Sequence, residues 1–219
     1  MLDTAPDIIF VSLENWDEVW RRNQFLCAAY ARRHPNAKIL FVGLPRDLSG
    51  LARRGRFSEM RRPADWSPPD LPNITVTVPP KLLPNTLALG RRFNEALMRS
   101  HISGAAGRLG QRSPLLWLNP HSAVHMAGRM GESAVVYDIT DDWISPTQAP
   151  AVAALIKSQD AALCARADAV IVCSEKLFEM KHALARRLFL IPNGVDAAHY
   201  ASVLNKSMPL PADAAQWPR

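Results

Sequence analysis

Short apolar runs recur along this chain with helix-length segments between them, and that alternation restricts it to few architectures. Residues 115–118, 134–138, 169–173 and 188–191 are too brief and too uniformly apolar for helices, so they read as strands buried on both faces. Residues 123–130, 149–166 and 175–184, lying between them, read as helices. Upstream, strands at 7–13, 38–42 and 74–78 and helices at 19–33 and 86–100 continue the rhythm. Strands joined through helices run parallel, because a parallel connection needs a crossover of a dozen or more residues, and that crossover is right-handed. The expected fold class is α/β: a Rossmann-like doubly wound parallel sheet with helices on both faces.

Two stretches break the rhythm. In residues 46–72, Arg53, Arg54, Arg56, Arg61 and Arg62 interleave with few apolar side chains, while Pro63, Pro68, Pro69 and Pro72 forbid long helices. A surface excursion is expected there. After Asn193-Gly194 the pattern fades, and residues 208–219 hold Pro209, Pro211 and Pro218 with no strand to follow. The expectation is therefore one domain over residues 1–206 and a Pro-rich linker over 207–219, leading towards a further domain.

Charge is unevenly spread. Of the net +6, the stretch from Arg46 to Arg112 carries the whole excess, with twelve Arg and Lys against five Asp and Glu. Such a face suits anionic lipid or an acidic substrate, and no nucleic-acid recognition motif accompanies it, so nucleic acid is not expected as a partner. No apolar run approaches the roughly 20 residues that span a bilayer, and the first residues lack a signal sequence, so a cytoplasmic protein is expected. Cys27, Cys164 and Cys173 have no metal-ligand spacing and are expected to be buried free thiols.

Open parallel sheets bind ligands beyond the carboxyl ends of their strands, so the residues following each strand are the candidate site. The first strand is followed by Trp16, Trp20, Arg22, Asn23 and Gln24. Indole faces stack on sugar C–H surfaces, and amides and guanidinium groups bond hydroxyls and phosphates; the competing reading is that the indoles pack on the sheet edge. Neither a Rossmann dinucleotide fingerprint nor a Walker A loop is present, and the triplet-spaced Gly104, Gly107 and Gly110 follow no strand. Asn119 and His121 follow the strand at 115–118, with His125 one turn on. Asp138, Asp141 and Asp142 cluster after the next strand, where carboxylates can accept bonds from hydroxyls or cap a turn. No further acidic residue follows at ligand spacing, so no metal is expected. Ser174 suits a helix N-cap. Asn193, Gly194 and Asp196 close the last strand in a tight turn, where Gly194 can take positive φ at no cost.

In this order the segments 16–24, Leu116-Trp117-Leu118-Asn119-Pro120, Val136-Tyr137-Asp138 through Trp143, Ala167-Asp168 through Ser174, and Ile191-Pro192-Asn193-Gly194-Val195-Asp196 with Tyr200 resemble the family 4 glycosyltransferases of the GT-B fold. The Tyr-Asp-x-x-Asp-x-Trp segment is similar to a subgroup acting on bacterial polysaccharides. The resemblance implies the N-terminal, acceptor-side half of a retaining, metal-independent enzyme. A C-terminal domain, its partner, would hold a nucleoside-diphosphate sugar; this half would bind no cofactor itself. The acceptor would be a glycan or a lipid-linked glycan, reached from the cytosolic face of an anionic membrane. In that reading His121, Asp138 and Asp142 are catalytic, and Trp16, Trp20, Arg22, Asn23, Gln24 and Asn119 hold the acceptor. Asn193, Gly194 and Asp196 face the donor side, and Arg53, Arg54, Arg56, Arg61, Arg62, Arg91 and Arg92 face the membrane. The loop at 16–24 departs from the Gly-rich first loop of many members. The alternative is a non-catalytic glycan- or membrane-binding module, or the acceptor subunit of a split enzyme.

Overall fold

A computed structural model describes residues 5–61, 64–144, 147–195, 197 and 201. In chain order the elements are β1 (Ile8–Val11), α1 (Arg22–Arg33), β2 (Ile39–Val42), β3 (Arg46–Asp47), α2 (Leu48–Arg53), a 3-10 turn (Phe57–Met60), β4 (Ile74–Thr77) and β5 (Pro80–Lys81). Then come α3 (Ala88–Arg108), β6 (Leu115–Leu118), a second 3-10 turn (His121–His125), β7 (Ala134–Ile139), α4 (Pro150–Arg166), β8 (Ala169–Val172), α5 (Glu175–Lys181) and β9 (Leu188–Leu190).

Seven strands form one sheet in the order β4-β2-β1-β6-β7-β8-β9, and every neighbouring pair is parallel. The apolar runs are strands because both their faces are covered. One face carries Phe10, Ile39, Phe41, Ile74 and Val76 under Cys27, Ala28 and Ala31 of α1. The opposite face carries Val11, Leu40, Leu116, Leu118 and Tyr137 under residues of α3, α4 and α5, including Ile102, Leu163 and Leu177. This is the Rossmann-like, helix-covered parallel sheet that the alternation predicts. From β1 the chain builds outward through β2 and β4, then returns to add β6 on the other side of β1. The order reverses between β1 and β6, the switch point at which such sheets open a crevice.

Local boundaries differ from expectation for identifiable reasons. The first helix starts at Arg22 rather than residue 19, because Asp17 Oδ1 accepts the Val19 amide at 3.0 Å and Gln24 Oε1 accepts the Arg21 amide at 2.9 Å. Those bonds shape residues 17–21 as a turn, closed by the Gln24 carboxamide on the Arg21 amide. Helix α3 runs to Arg108, past the glycines that fit a breaker, because Ile102, Ala105 and Ala106 are packed in the core. The triplet glycines therefore lie in and just after a helix, where no phosphate loop exists. The segment 123–130 is a 3-10 turn at His121–His125 followed by a turn with Gly128 at φ 79°. The 46–72 excursion contains β3, α2 and the first 3-10 turn, and β3 pairs with β5 as a second, two-stranded sheet. Trp66 and Val76 exchange backbone bonds at 2.7 and 3.2 Å, which shields the edge of β4. Gly194 lies outside the positive-φ region, so its turn does not use the freedom a glycine offers. Cys27 and Cys164 are buried free thiols, while Cys173 is only half-buried.

Candidate functional site

The carboxyl ends of β1, β6, β7 and β9 share one rim, and Arg22 ties three of the segments there together. It sits in the first turn of α1 and reaches across the sheet edge to Asp138 at the end of β7, donating from Nε to Oδ2 at 3.4 Å and from Nη2 to Oδ1 at 3.3 Å. Its remaining nitrogen donates to the Pro192 carbonyl at 3.3 Å and to Asn193 Oδ1 at 3.1 Å, in the segment after β9. Trp117 Nε1 also donates to Asp138 Oδ2 at 3.3 Å. The indole is aimed by stacking on Phe10, which stacks in turn on Phe41, an aromatic row across β6, β1 and β2 beneath α1.

Asp138 is fully buried, and Arg22 exposes only 12% of its side chain. Burial raises the carboxyl's pKa above its ordinary value, opposed by the Arg22 guanidinium and the bonds from Arg22 and Trp117. With both oxygens engaged, this aspartate is placed to fix Arg22 rather than to meet a ligand directly. As a candidate for positioning an acceptor hydroxyl, it is bonded through its carboxylate, among the described residues, to Arg22 and Trp117.

Beside this pair, at the switch point, two buried amides carry oxygens that no partner satisfies. Asn119 donates from Nδ2 to the Asp138 carbonyl at 3.0 Å, and Asn23 donates from Nδ2 to Ser12 Oγ at 2.9 Å. Among the described residues both Oδ1 atoms lack a hydrogen-bond partner, although Asn119 is 1% and Asn23 4% exposed. Ser12 is the next residue after β1, and the backbone amide of Asn119 bonds to the Val11 carbonyl at 3.0 Å, so both residues are tied to the carboxyl end of β1. Buried acceptors without donors are costly, about 1–3 kcal/mol each, which makes such a spot receptive to hydroxyl or ammonium donors.

Glu14, in the loop after β1, adds a third acceptor: its Oε2 is buried and unpartnered. Burial raises its pKa, Arg21 at 3.7 Å lowers it, and Asp17 and Asp141 raise it. A carboxyl raised in this way and lying on a rim is suited to exchanging a proton with a hydroxyl. Sequence reading passed over Glu14 because one acid in a loop carries no pattern; its signal was its place directly after the first strand. Cys173, after β8, donates its thiol to the Thr140 carbonyl at 3.0 Å and also lies near Arg22, with burial raising its pKa.

The other candidates divide. Trp16 packs edge-on against Phe41 at 5.0 Å and against Trp20 at 5.7 Å, so the reading of these indoles as sheet-edge packing accounts for their contacts. Gln24 is fully buried and bonds only within its own loop, to Arg21, Asn15 and Val19, which leaves nothing for an acceptor. His121 bonds through Nδ1 to Gln159 of α4 at 3.0 Å, leaving Nε2 without a partner among the described residues. His125 is instead held by Arg99 at 3.1 Å, and burial with Arg99 and Arg129 depresses its pKa to about 4, so it is a neutral structural residue. Asp142 is exposed and accepts the Ile144 amide at 3.2 Å, the turn-capping role. Ser174 caps α5 through the Leu177 amide at 3.3 Å. Arg53, Arg54, Arg56, Arg61 and Arg92 are exposed and Arg91 half-buried, while Arg62 and Asp196 lie outside the described residues, as does 207–219. Among the described residues no group of His, Cys, Asp and Glu is arranged to hold a metal, and no helix is long and apolar enough to cross a membrane.

No family model and no curated protein matches the chain. Among solved structures it is similar to a sucrose-phosphate synthase from Thermosynechococcus elongatus, at 12% identity and a TM-score of 0.55, over 91% of this chain and 95% of that one. The shared feature is the fold. The chain is an α/β, Rossmann-like domain, a parallel sheet covered by helices, and it shares that fold with the sucrose-phosphate synthase structure.

Proposed function

We propose that this is the acceptor-side domain of a retaining glycosyltransferase of family 4, acting in polysaccharide assembly with a nucleoside-diphosphate sugar as donor. The observation that carries the reading is the pair of unpartnered amide oxygens, on Asn23 and Asn119, at the switch point of a glycosyltransferase-like sheet. An acceptor presents hydroxyls, each a donor in want of an acceptor atom, and the rim offers Asn23, Asn119 and Glu14 to receive them. His121, which opens the 3-10 turn two residues after Asn119, keeps its Nε2 without a partner among the described residues. Arg22 holds α1, β7 and the segment after β9 in one geometry, so that binding energy is converted into orientation of the attacking hydroxyl. The departing diphosphate would be stabilised by a separate donor-binding domain, and Asn193, beside Arg22, would lie on that side. The protein would work on the cytosolic membrane face, where Phe57, Leu87 and Leu89, 67–79% exposed, stand among Arg53, Arg56 and Arg92.

The test uses the chain together with its donor-binding domain and a panel of nucleoside-diphosphate sugars. Asn119→Ala is expected to lower kcat/KM by roughly 10- to 100-fold; it also removes the Nδ2 bond to the Asp138 carbonyl, at about 1–3 kcal/mol, so transfer is compared at a temperature where the variant remains folded. Transfer that is indifferent to Asn119→Ala rejects the site. Glycan binding without transfer from any donor would instead favour the non-catalytic module or the acceptor subunit of a split enzyme.

A further inference from the structure

Past β2 the chain leaves the main sheet, and β3, α2 and the first 3-10 turn fold around a cavity of about 440 Å³ lined by Arg46, Asp47, Leu51, Arg54, Glu59 and Arg61. Its charges are unequally committed. Asp47 accepts bonds from the Ser49 hydroxyl at 2.7 Å, the Gly50 amide at 3.0 Å and the Lys81 ammonium at 3.1 Å. The first two hold its carboxyl at about 2, with Lys81 adding to them. Glu59 is taken by Arg56, which is not part of the lining. The three guanidinium groups have no such engagement: among the described residues Arg46, Arg54 and Arg61 make no ion pair.

Arg46 is nevertheless fixed. It donates to the carbonyls of Arg61 at 2.5 Å and Met60 at 2.9 Å, using two of its five N–H groups and leaving the rest for a ligand. Arg54 lies over α2, where a Cβ added at Gly50 would sit 3.4 Å from its Nη2; this glycine leaves room for the guanidinium. The three guanidinium groups outnumber the two carboxylates of the lining, Glu59 is bonded to Arg56 and Asp47 to Lys81, and Arg46 acts on Glu59 only at a distance. A multiply charged oxyanion supplies the counter-charge that is left wanting and matches the forked donors two at a time.

We propose that this cavity binds a phosphate-bearing group, held by Arg46, Arg54 and Arg61. The volume lies within the range of about 300–1,000 Å³ that holds small ligands. The surroundings say where the phosphate is carried. Lys81 of β5 bonds to Asp47, and the segment after β5 bears Leu82, Leu83, Leu87, Leu89 and Phe93, all at least 40% exposed. An anion site beside exposed apolar side chains fits a phosphate at the end of a lipid, as in a phospholipid headgroup or a lipid-linked sugar. The site stands whether or not the domain takes part in sugar transfer.

Inorganic pyrophosphate, titrated calorimetrically into the chain, is the first probe. Saturable binding is expected, and Arg54→Gln with Arg61→Gln should weaken it by at least about tenfold, two charge-assisted bonds being lost. Arg46 is left intact because its bonds to carbonyls are structural. Arg32→Gln with Arg33→Gln removes the same charge from exposed positions at the end of α1, outside the lining, and should leave the titration unchanged. Flotation with phosphatidylcholine vesicles, with and without phosphatidylglycerol, then separates the sources. Release from anionic vesicles by pyrophosphate assigns a lipid headgroup, and pyrophosphate binding without vesicle binding assigns a soluble phosphate. Absence of saturable pyrophosphate binding, or equal weakening by the two variant pairs, overturns the proposal.

Discussion

At the scale of single residues, environment separates groups that composition treats alike. His121 and His125 are four positions apart, yet one keeps a ring nitrogen unpartnered on the rim and the other is pressed beneath Arg99. Burial, Arg99 and Arg129 set the His125 pKa at about 4, against an ordinary value of 6.5. Between those values the unfolded chain takes up a proton that the folded chain refuses. The histidine's contribution is thus fully present above pH 6.5 and is lost as pH falls towards 4, by up to about 3 kcal/mol. Asp138 and Glu14, whose carboxyls are raised by burial, act in the opposite direction, since on acidification the fold accepts their protons sooner than the unfolded chain does. Comparison with His125→Asn isolates the histidine, because Asn Oδ1 can take the bond from Arg99 without titrating. Urea denaturation at pH 7 and pH 4.5 is expected to show a smaller loss of stability for the variant. Equal losses would exclude His125 as the source.

At the scale of elements, the strands were legible and the helix boundaries were not, for one physical reason. A strand covered on both faces admits only apolar side chains over its whole length, so Ile8–Val11, Ile39–Val42 and Ala169–Val172 announce themselves. A helix boundary depends on a few specific bonds, such as the Gln24 carboxamide closing on Arg21, and on distant packing, such as Ile102 holding α3 together past its glycines. The buried tie between helices was equally hidden, because its three members lie far apart in sequence. Tyr137 of β7 donates to Asp160 Oδ1 of α4 at 2.9 Å, and Lys181 of α5 donates to Asp160 Oδ2 at 2.6 Å. This anchors two helices to one strand by a carboxylate that is 8% exposed. Removing one member strands the charge of another. Lys181→Met is expected to cost about 3–5 kcal/mol in chemical denaturation, and adding Asp160→Asn should recover part of that loss. Tyr137→Phe should cost less, about 1–2 kcal/mol. A loss below about 1 kcal/mol for Lys181→Met would mean that the helices are held by apolar packing alone.

At the scale of the whole molecule, the parallel sheet converts separation along the chain into proximity, and this decides how much of the site a sequence can disclose. That the residues after β1, β6, β7 and β9 would share a rim followed from topology, and Arg22, Asn119, Asp138 and Asn193 are indeed within one bonded network. Which of them would face a ligand did not follow. Partner choice among side chains depends on distances of a few ångströms, and so Asp138 turned out to be consumed by Arg22 and Trp117, while Asn23 and Asn119 were left with open oxygens. Arg22 is the residue on which this geometry depends most, since it joins α1, on one side of the switch point, to β7 and the segment after β9, on the other. Replacing it with Met keeps much of the side-chain volume but abandons a fully buried carboxylate, with an expected cost of about 3–5 kcal/mol. Asn at position 138 removes the abandoned charge, so Arg22→Met with Asp138→Asn should be more stable than Arg22→Met alone. Hydrogen exchange distinguishes a local pair from a tie across the domain. If Arg22 links the two sides, the double variant, though restabilised, should still exchange faster than the parent at the Ile191 amide, which bonds to the Val172 carbonyl, because the neighbouring Pro192 and Asn193 have lost their anchor. Unchanged exchange there would reduce Arg22 to a counter-ion for Asp138.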